Sequence, residues 1–212
     1  MLKKSFLNTL FVAMMGALVL PSCDFMYDDP DEEEVIKTDG TSFAYVNSSS
    51  YAHWVYINLA SHDTLTVAYD DETGVPSEWD FALHRYNCKT NGGACMETSF
   101  STIDALTTAI ADGTFTADDC TFTADTDSVI SVDMSQMMQG IIGYADSPVN
   151  KVLSHWMTLD TSVMPPTYTT SDKVYILRRA DGTYAAIRFT DYSNAKGATG
   201  YISFDYVSLL SL

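Results

Sequence analysis

Past residue 41 the chain is a succession of short apolar-rich runs broken by polar clusters. Residues 42–46, 51–59 and 64–69 are dense in aromatic and β-branched residues, side chains that pack well on a pleated surface. Asn47-Ser48-Ser49-Ser50 and Ser61-His62-Asp63 separate them, and clusters of that composition mark turns. Residues 78–86 continue the pattern, and 201–209 supply the last run. Residues 173–178 and 183–189 flank Ala180-Asp181-Gly182, where Asp-Gly favours a tight hairpin turn. Helical spacing is confined to 102–110, with Ile103, Leu106 and Ile110 in register, and to 134–142. The pattern predicts an all-β domain, mostly antiparallel sheet, with one or two short helices.

The first 41 residues read differently. Lys3 and Lys4 precede an apolar run over residues 7–20, too short to span a bilayer well, and Leu20-Pro21-Ser22-Cys23 follows. This resembles a bacterial lipoprotein signal, which makes 1–22 a signal peptide and Cys23 the lipid-attachment residue. Residues 23–41 form an acidic flexible tether around Asp28-Asp29-Pro30-Asp31-Glu32-Glu33-Glu34, too polar to fold alone. An acidic cluster just after such a cysteine also resembles the signals that send some lipoproteins to the outside of the outer membrane. A lipid-anchored protein at the cell surface is the expectation, with one folded domain over 42–212.

Charge narrows the partners. Eleven basic against 28 acidic residues give a net charge of −17, a field that repels nucleic acid and anionic lipid. No second apolar segment is long enough to cross a membrane, so lipid is the only expected anchor. Beyond Cys23 there are Cys88, Cys95 and Cys120. A hairpin around Asn91-Gly92-Gly93 would bring Cys88 and Cys95 face to face as a disulfide and leave Cys120 free and buried.

Catalytic signals are thin. Glu78 and Asp80, at i and i+2 on one strand face, could serve as acid and base, but the same spacing describes a polar strand face beside Trp79. His84 reads as a hydrogen-bonded structural residue. No GxSxG, HExxH or Walker sequence occurs, so an enzyme is not expected. Asn47-Ser48-Ser49 fits a glycosylation sequon of little weight in a bacterial lipoprotein. Asp125-Thr126-Asp127 lacks the glycine and bidentate glutamate of a calcium loop and reads as a surface turn.

Methionine is unevenly distributed. Of ten in the chain, five (Met134, Met137, Met138, Met157 and Met164) fall between residues 134 and 164. Met134, Met137 and Met138 would share one face of a helix. They could form a core stripe. Alternatively, a thioether from this segment and one from Val163-Met164-Pro165-Pro166 could be the axial ligands of a haem iron. Spacing leaves both readings open.

Longer blocks point one way. Trp79-Asp80-Phe81-Ala82-Leu83-His84-Arg85-Tyr86 with Thr90-Asn91-Gly92-Gly93 resembles the central signature of the HmuY family of haem-binding surface lipoproteins. The resemblance resumes at Pro166-Thr167-Tyr168, Lys173-Val174-Tyr175-Ile176-Leu177-Arg178, Ala180-Asp181-Gly182 and Phe189-Thr190-Asp191-Tyr192. It implies an all-β hemophore-like fold, haem held by two axial side chains, and delivery to an outer-membrane haem receptor. Thr161 stands where the bis-histidine type of the family needs its ligand, and the segment around Met137 is also free of histidine. The chain therefore resembles the methionine type: Met137 with Met164 first, then Met138, then Met134. His155 is an outsider, and Met157 belongs to the core beside Trp156 and Leu159. Ile141, Ile142, Tyr144 and Val163 are expected to wall the macrocycle. The alternative is a glycan-binding or adhesive β module using exposed Trp54, Tyr56 and Trp156 as stacking platforms.

Overall fold

A computed structural model describes residues 41–212 together with the short strand Lys37–Thr38. The expected signal peptide, Cys23 and the acidic cluster lie outside the described residues. In chain order the elements begin with β1 (Lys37–Thr38), β2 (Ser42–Asn47), β3 (His53–Asn58), β4 (Asp63–Ala68), β5 (Phe81–His84), β6 (Asn87–Thr90) and β7 (Ala94–Glu97). Helix α1 (Ile103–Ala111), β8 (Thr123–Ala124), β9 (Thr126–Asp133), β10 (Gly143–Val149), β11 (Met157–Asp160) and β12 (Thr167–Thr170) follow. β13 (Tyr175–Arg178), β14 (Tyr184–Ser193) and β15 (Thr199–Leu209) complete the fold.

These strands make a seven-stranded sheet in the order β1-β2-β15-β14-β13-β7-β8 and a four-stranded sheet in the order β4-β3-β5-β6. Two further hairpins, β9–β10 and β11–β12, stand as two-stranded sheets of their own. Every pairing is antiparallel. The two larger sheets share a core of Phe43, Val55, Ile57, Phe81, Leu83, Tyr175, Ile187, Phe189 and Phe204. In β3 the alternation is complete: Val55 and Ile57 enter that core, while Trp54 and Tyr56 face Ile130, Val132 and Val149 of the β9–β10 hairpin. Both faces of β3 are therefore buried, which explains its continuous apolar run.

The outer face of the seven-stranded sheet is covered by α1. Thr102 caps it, its hydroxyl accepting from Ala105 N at 3.1 Å. Leu106, Ile103 and Ile110 pack with Val174, Ile176 and Ala186. The predicted Asp-Gly turn closes β13–β14, with Gly182 at φ 86° and Asp181 Oδ1 accepting from Thr183 N at 2.9 Å.

Three expectations change. Residues 134–142 are not a helix but the connection between β9 and β10, with a single 3-10 turn at Met137–Gln139. Gly140, at φ 78°, turns the backbone left-handed and ends it. The predicted strand over 78–86 shortens to β5, leaving Glu78 exposed in the preceding loop. Cys88 and Cys95 are free thiols, both completely buried, and Cys120 is half-buried. Residues 91–93 do not close a hairpin; they carry the chain from β6 in one sheet to β7 in the other. Gly93 makes that crossing at close quarters, since a Cβ there would lie 2.4 Å from the Arg178 carbonyl oxygen. Both thiols face the apolar layer between the sheets, and burial pushes their pKa values up, away from the thiolate that disulfide chemistry needs.

Candidate functional site: two methionine-bearing hairpin tips

The methionines singled out in the sequence sit at two hairpin tips. Residues 134–142 connect β9 to β10 and carry Met134, Met137, Met138, Ile141 and Ile142; Tyr144 follows at the start of β10. The local sequence builds this tip from short-range bonds. Asp133 Oδ1 accepts from Ser135 N at 2.8 Å, Met137 N donates to Met134 O at 3.0 Å, and Gly140 N donates to Met137 O at 2.9 Å. Residues 161–166 connect β11 to β12 and carry Val163 and Met164, with Asp160 Oδ1 accepting from Ser162 N at 2.8 Å. The bonds from Ser135 and Ser162 hold the Asp133 and Asp160 carboxyls below their usual range.

The base of each hairpin is fixed to the body. Asp125 Oδ2 accepts from Thr90 N at 2.6 Å, and its Oδ1 accepts from the Thr90 hydroxyl and from Asn150 Nδ2, each at 2.9 Å. Asn150, fully buried, also donates from its backbone to Cys88 O at 2.7 Å. These bonds tie the start of β9 and the end of β10 to β6. Asp125 is therefore a half-buried anchor rather than the surface turn its sequence suggests. The β11–β12 hairpin is seated by Trp156, which stacks on Phe189 at 4.6 Å and donates from Nε1 to Tyr86 O at 3.0 Å. Tyr168 of β12 meets the Tyr192 ring at 5.0 Å.

The tips themselves are open. Met138 is 85% exposed and Met164 86%, while Met134, Met137 and Ile142 are half-buried. Ile141, Tyr144 and Val163 are also exposed. Of the large hydrophobic side chains left in solvent, Val129, Met138, Ile141, Tyr144, Val163, Met164 and Tyr168 all belong to these two hairpins. This concentration of exposed apolar side chains makes the two tips the candidate binding surface. Met134 and Met137 come together in one hydrogen-bonded turn, but with no helix the shared face of Met134, Met137 and Met138 is not formed. Met157 is buried in the core beside Trp156, as its neighbours predict, and His155 is exposed.

Other candidates resolve into structural roles. Trp54, Tyr56 and Trp156 are buried, at 1%, 4% and 0% exposure, so none can be a stacking platform for a sugar. The first two are covered by β9–β10 and the third by β14. Lys89 lies under that same cover, its Nζ 4.3 Å from the Trp54 ring and 2.9 Å from Tyr56 Oη. Asp80 is engaged by Arg179 Nε and by Leu59 N, and Glu78 shares no strand face with it. His84 is buried, with Nε2 2.7 Å from Tyr51 O and its ring on Trp54, and burial lowers its pKa. No cluster of three His, Cys, Asp or Glu side chains that could hold a metal ion occurs among the described residues. None of the described helices is long and apolar enough to cross a membrane.

Comparisons with known proteins place this geometry. No curated protein matches the chain. A solved Bacteroides vulgatus structure, described as HmuY-like and haem-binding, is 38% identical, covers 84% of this chain and 98% of that one, and superposes with a TM-score of 0.71. A Bacteroides fragilis protein, described as a lipoprotein, is 41% identical over 81% of this chain and 91% of its own, with a TM-score of 0.69. The apo HmuY analogue of Tannerella forsythia shares the fold at 24% identity and a TM-score of 0.61, over 82% of this chain and 97% of that one. The profile of the HmuY protein family matches residues 50–206, most of the two-sheet body and both tips, and the chain belongs to that family.

Proposed function

We propose that this protein captures haem between the tips of its two small hairpins, with thioethers as axial ligands, and passes it to an outer-membrane haem receptor from a lipid-anchored position at the cell surface. The observation that carries the reading is the concentration of solvent-exposed thioethers and apolar side chains on those two tips, in a chain whose family includes a protein described as haem-binding. The donor chemistry fits the group. Methionine sulfur is an established axial ligand of haem iron, and neither tip segment contains a histidine that would compete. Met137 and Met164 are the first choice, one from each tip, with Met138 and Met134 as the nearest alternatives on the β9–β10 side. Ile141, Ile142, Tyr144 and Val163 supply apolar cover for a flat macrocycle. Iron supplies the ligand-binding chemistry when haem is bound; the chain's own part is to present two neutral sulfurs and exclude water.

The reading is that of a carrier rather than a catalyst, since Asp80 is held by Arg179 and Leu59 and Glu78 stands alone. The test is an absorption titration of the purified protein with haem beside a Met137→Ala, Met164→Ala double variant. A saturable Soret shift that disappears in the variant supports the assignment. A shift that survives moves the ligands to Met138, Met134 or His155, and no shift with the parent protein refutes haem capture.

A further inference from the structure

The environment of Arg85 stands apart from the two tips and from the scaffold. Arg85 follows β5 in a left-handed backbone conformation, φ 53°, and Ser48 Oγ donates to its carbonyl at 3.2 Å. Its guanidinium lies over two tyrosine rings, 4.8 Å from the Tyr51 centroid and 5.8 Å from that of Tyr192. Nη1 donates to Ser49 O at 2.6 Å. Among the described residues the ion pairs are those of Lys173 with Asp172 and Arg179 with Asp80. In a chain with 28 acidic residues against 11 basic, a half-buried arginine held by ring faces instead of a carboxylate is out of keeping with the rest of the molecule.

Two donors at this place have nothing to bond. Arg85 Nε and the Tyr192 hydroxyl are both buried and both lack a hydrogen-bond partner, a costly condition that folded proteins rarely leave in place. Tyr51, Tyr86 and Tyr168 complete the surroundings of the Tyr192 hydroxyl. Burial pushes that hydroxyl's pKa up, with Arg85 opposing, so it remains a proton donor at neutral pH. Tyr168 and Tyr192 also line a cleft of about 370 Å³ together with Thr167, Thr170 and Ser193. The one carboxylate in its wall, Asp191, already accepts from Tyr192 N, Ser193 N and Ser193 Oγ. Tyr168 lies on the strand leading away from Met164, four residues on, roughly 13 Å of extended chain.

A planar cation 5.8 Å from the Tyr192 ring, and an unbonded hydroxyl on that tyrosine, which itself lines the cleft, match an oxyanion. We propose that Arg85 and Tyr192 form a seat for a carboxylate of a tetrapyrrole, the acid side chain of the ligand whose macrocycle lies at the hairpin tips. The identity of the ligand rests on the haem reading, but the seat makes a separate demand, for an acid group rather than a metal.

Metal-free protoporphyrin IX and its dimethyl ester, titrated into the purified protein and read by porphyrin fluorescence, separate the two. Neither carries iron, so methionine ligation plays no part. The acid is expected to bind roughly tenfold to a hundredfold more tightly than the ester, the range for charge-assisted hydrogen bonds. Arg85→Gln and Tyr192→Phe should each bind the acid about as weakly as the ester. Tyr192→Phe removes no hydrogen bond of the folded protein, so its fold survives even where that of Arg85→Gln does not. Equal binding of acid and ester, a preference that persists in Tyr192→Phe, or no binding of either porphyrin would overturn the seat. Haem bound no more tightly than the metal-free acid would instead overturn thioether ligation and leave the seat standing.

Discussion

Asp80→Asn tests whether the most recognisable block of the sequence is scaffold. The Asp80 side chain is 10% exposed and that of Arg179 18%. Asp80 Oδ1 holds Arg179 Nε, and Oδ2 accepts from Leu59 N at 2.6 Å. Arg179 also donates from Nη1 to Thr183 Oγ1 and Tyr184 O, both at 3.2 Å. The pair thus joins the start of β5, an inner strand of the four-stranded sheet, to the β13–β14 hairpin of the seven-stranded one. Asparagine keeps an acceptor for Leu59 but strands a largely buried cation. Breaking a buried pair costs about 3–5 kcal/mol, and the remaining bonds of Arg179 place this case near about 3 kcal/mol. At roughly 2–4 °C per kcal/mol for a domain of this size, the melting temperature should fall by about 6–12 °C. Thermal and urea denaturation followed by circular dichroism measure it. Arg179→Met should cost a similar amount, and the double variant should cost less than the two together by about 2 kcal/mol. Additive losses would refute the account, as would loss of ligand binding with stability unchanged.

Three further outcomes follow from the same structure. Burial pushes the Lys89 pKa down to about 8, although Asp125 and the ring faces of Trp54 and Tyr56 favour the cation. Between about pH 8 and pH 10 the unfolded chain then binds more protons at this site than the folded one, so stability rises with pH across that window. NMR titration of the lysine ε-carbons reads the value, and a pKa at the ordinary lysine value or above would show that the rings outweigh burial. Ellman's reagent should label Cys120 alone in the native state and reach Cys88 and Cys95 only on unfolding; a total short of three thiols after unfolding a truncated 42–212 chain would reinstate the disulfide. Gly200→Ala should lower the urea midpoint more than Gly113→Ala. Both glycines have positive φ, but a Cβ at Gly200 would meet Arg85 Nη1 and Ser49 Cα at 2.7 Å, whereas Gly113 faces open space; equal losses would contradict that packing.

What the sequence made legible was local. The Asp181-Gly182 turn, the helix marked by Ile103, Leu106 and Ile110, and the strand at β3 each depend on a few neighbouring residues. Long-range assembly decided the rest. Trp54 and Tyr56 look like candidates for exposure until the β9–β10 hairpin, far along the chain, covers their face. Cys88 and Cys95 have hairpin spacing, but Gly93 passes beside the Arg178 backbone and moves the chain to another sheet. Met134, Met137 and Met138 satisfy helical spacing by number alone; strands on either side and Gly140 leave room only for a turn. The methionine tips could still be singled out by density. The Arg85 cluster could not: Arg85, Tyr86, Tyr168 and Tyr192 fall within the blocks that carry the family resemblance, but nothing in their spacing shows that the chain folds them, with Tyr51, into one place.

The central claim, that two thioethers hold haem iron, is tested most directly by comparing the affinities of ferrous and ferric haem for the purified protein. Thioether sulfur is neutral and soft and favours the reduced metal. The account predicts tighter binding of ferrous haem, with sharp low-spin bands on reduction and no release between pH 7 and pH 5.5, where imidazole but not thioether gains a proton. Equal or tighter ferric binding, or haem lost across that range while the fold persists, would contradict it.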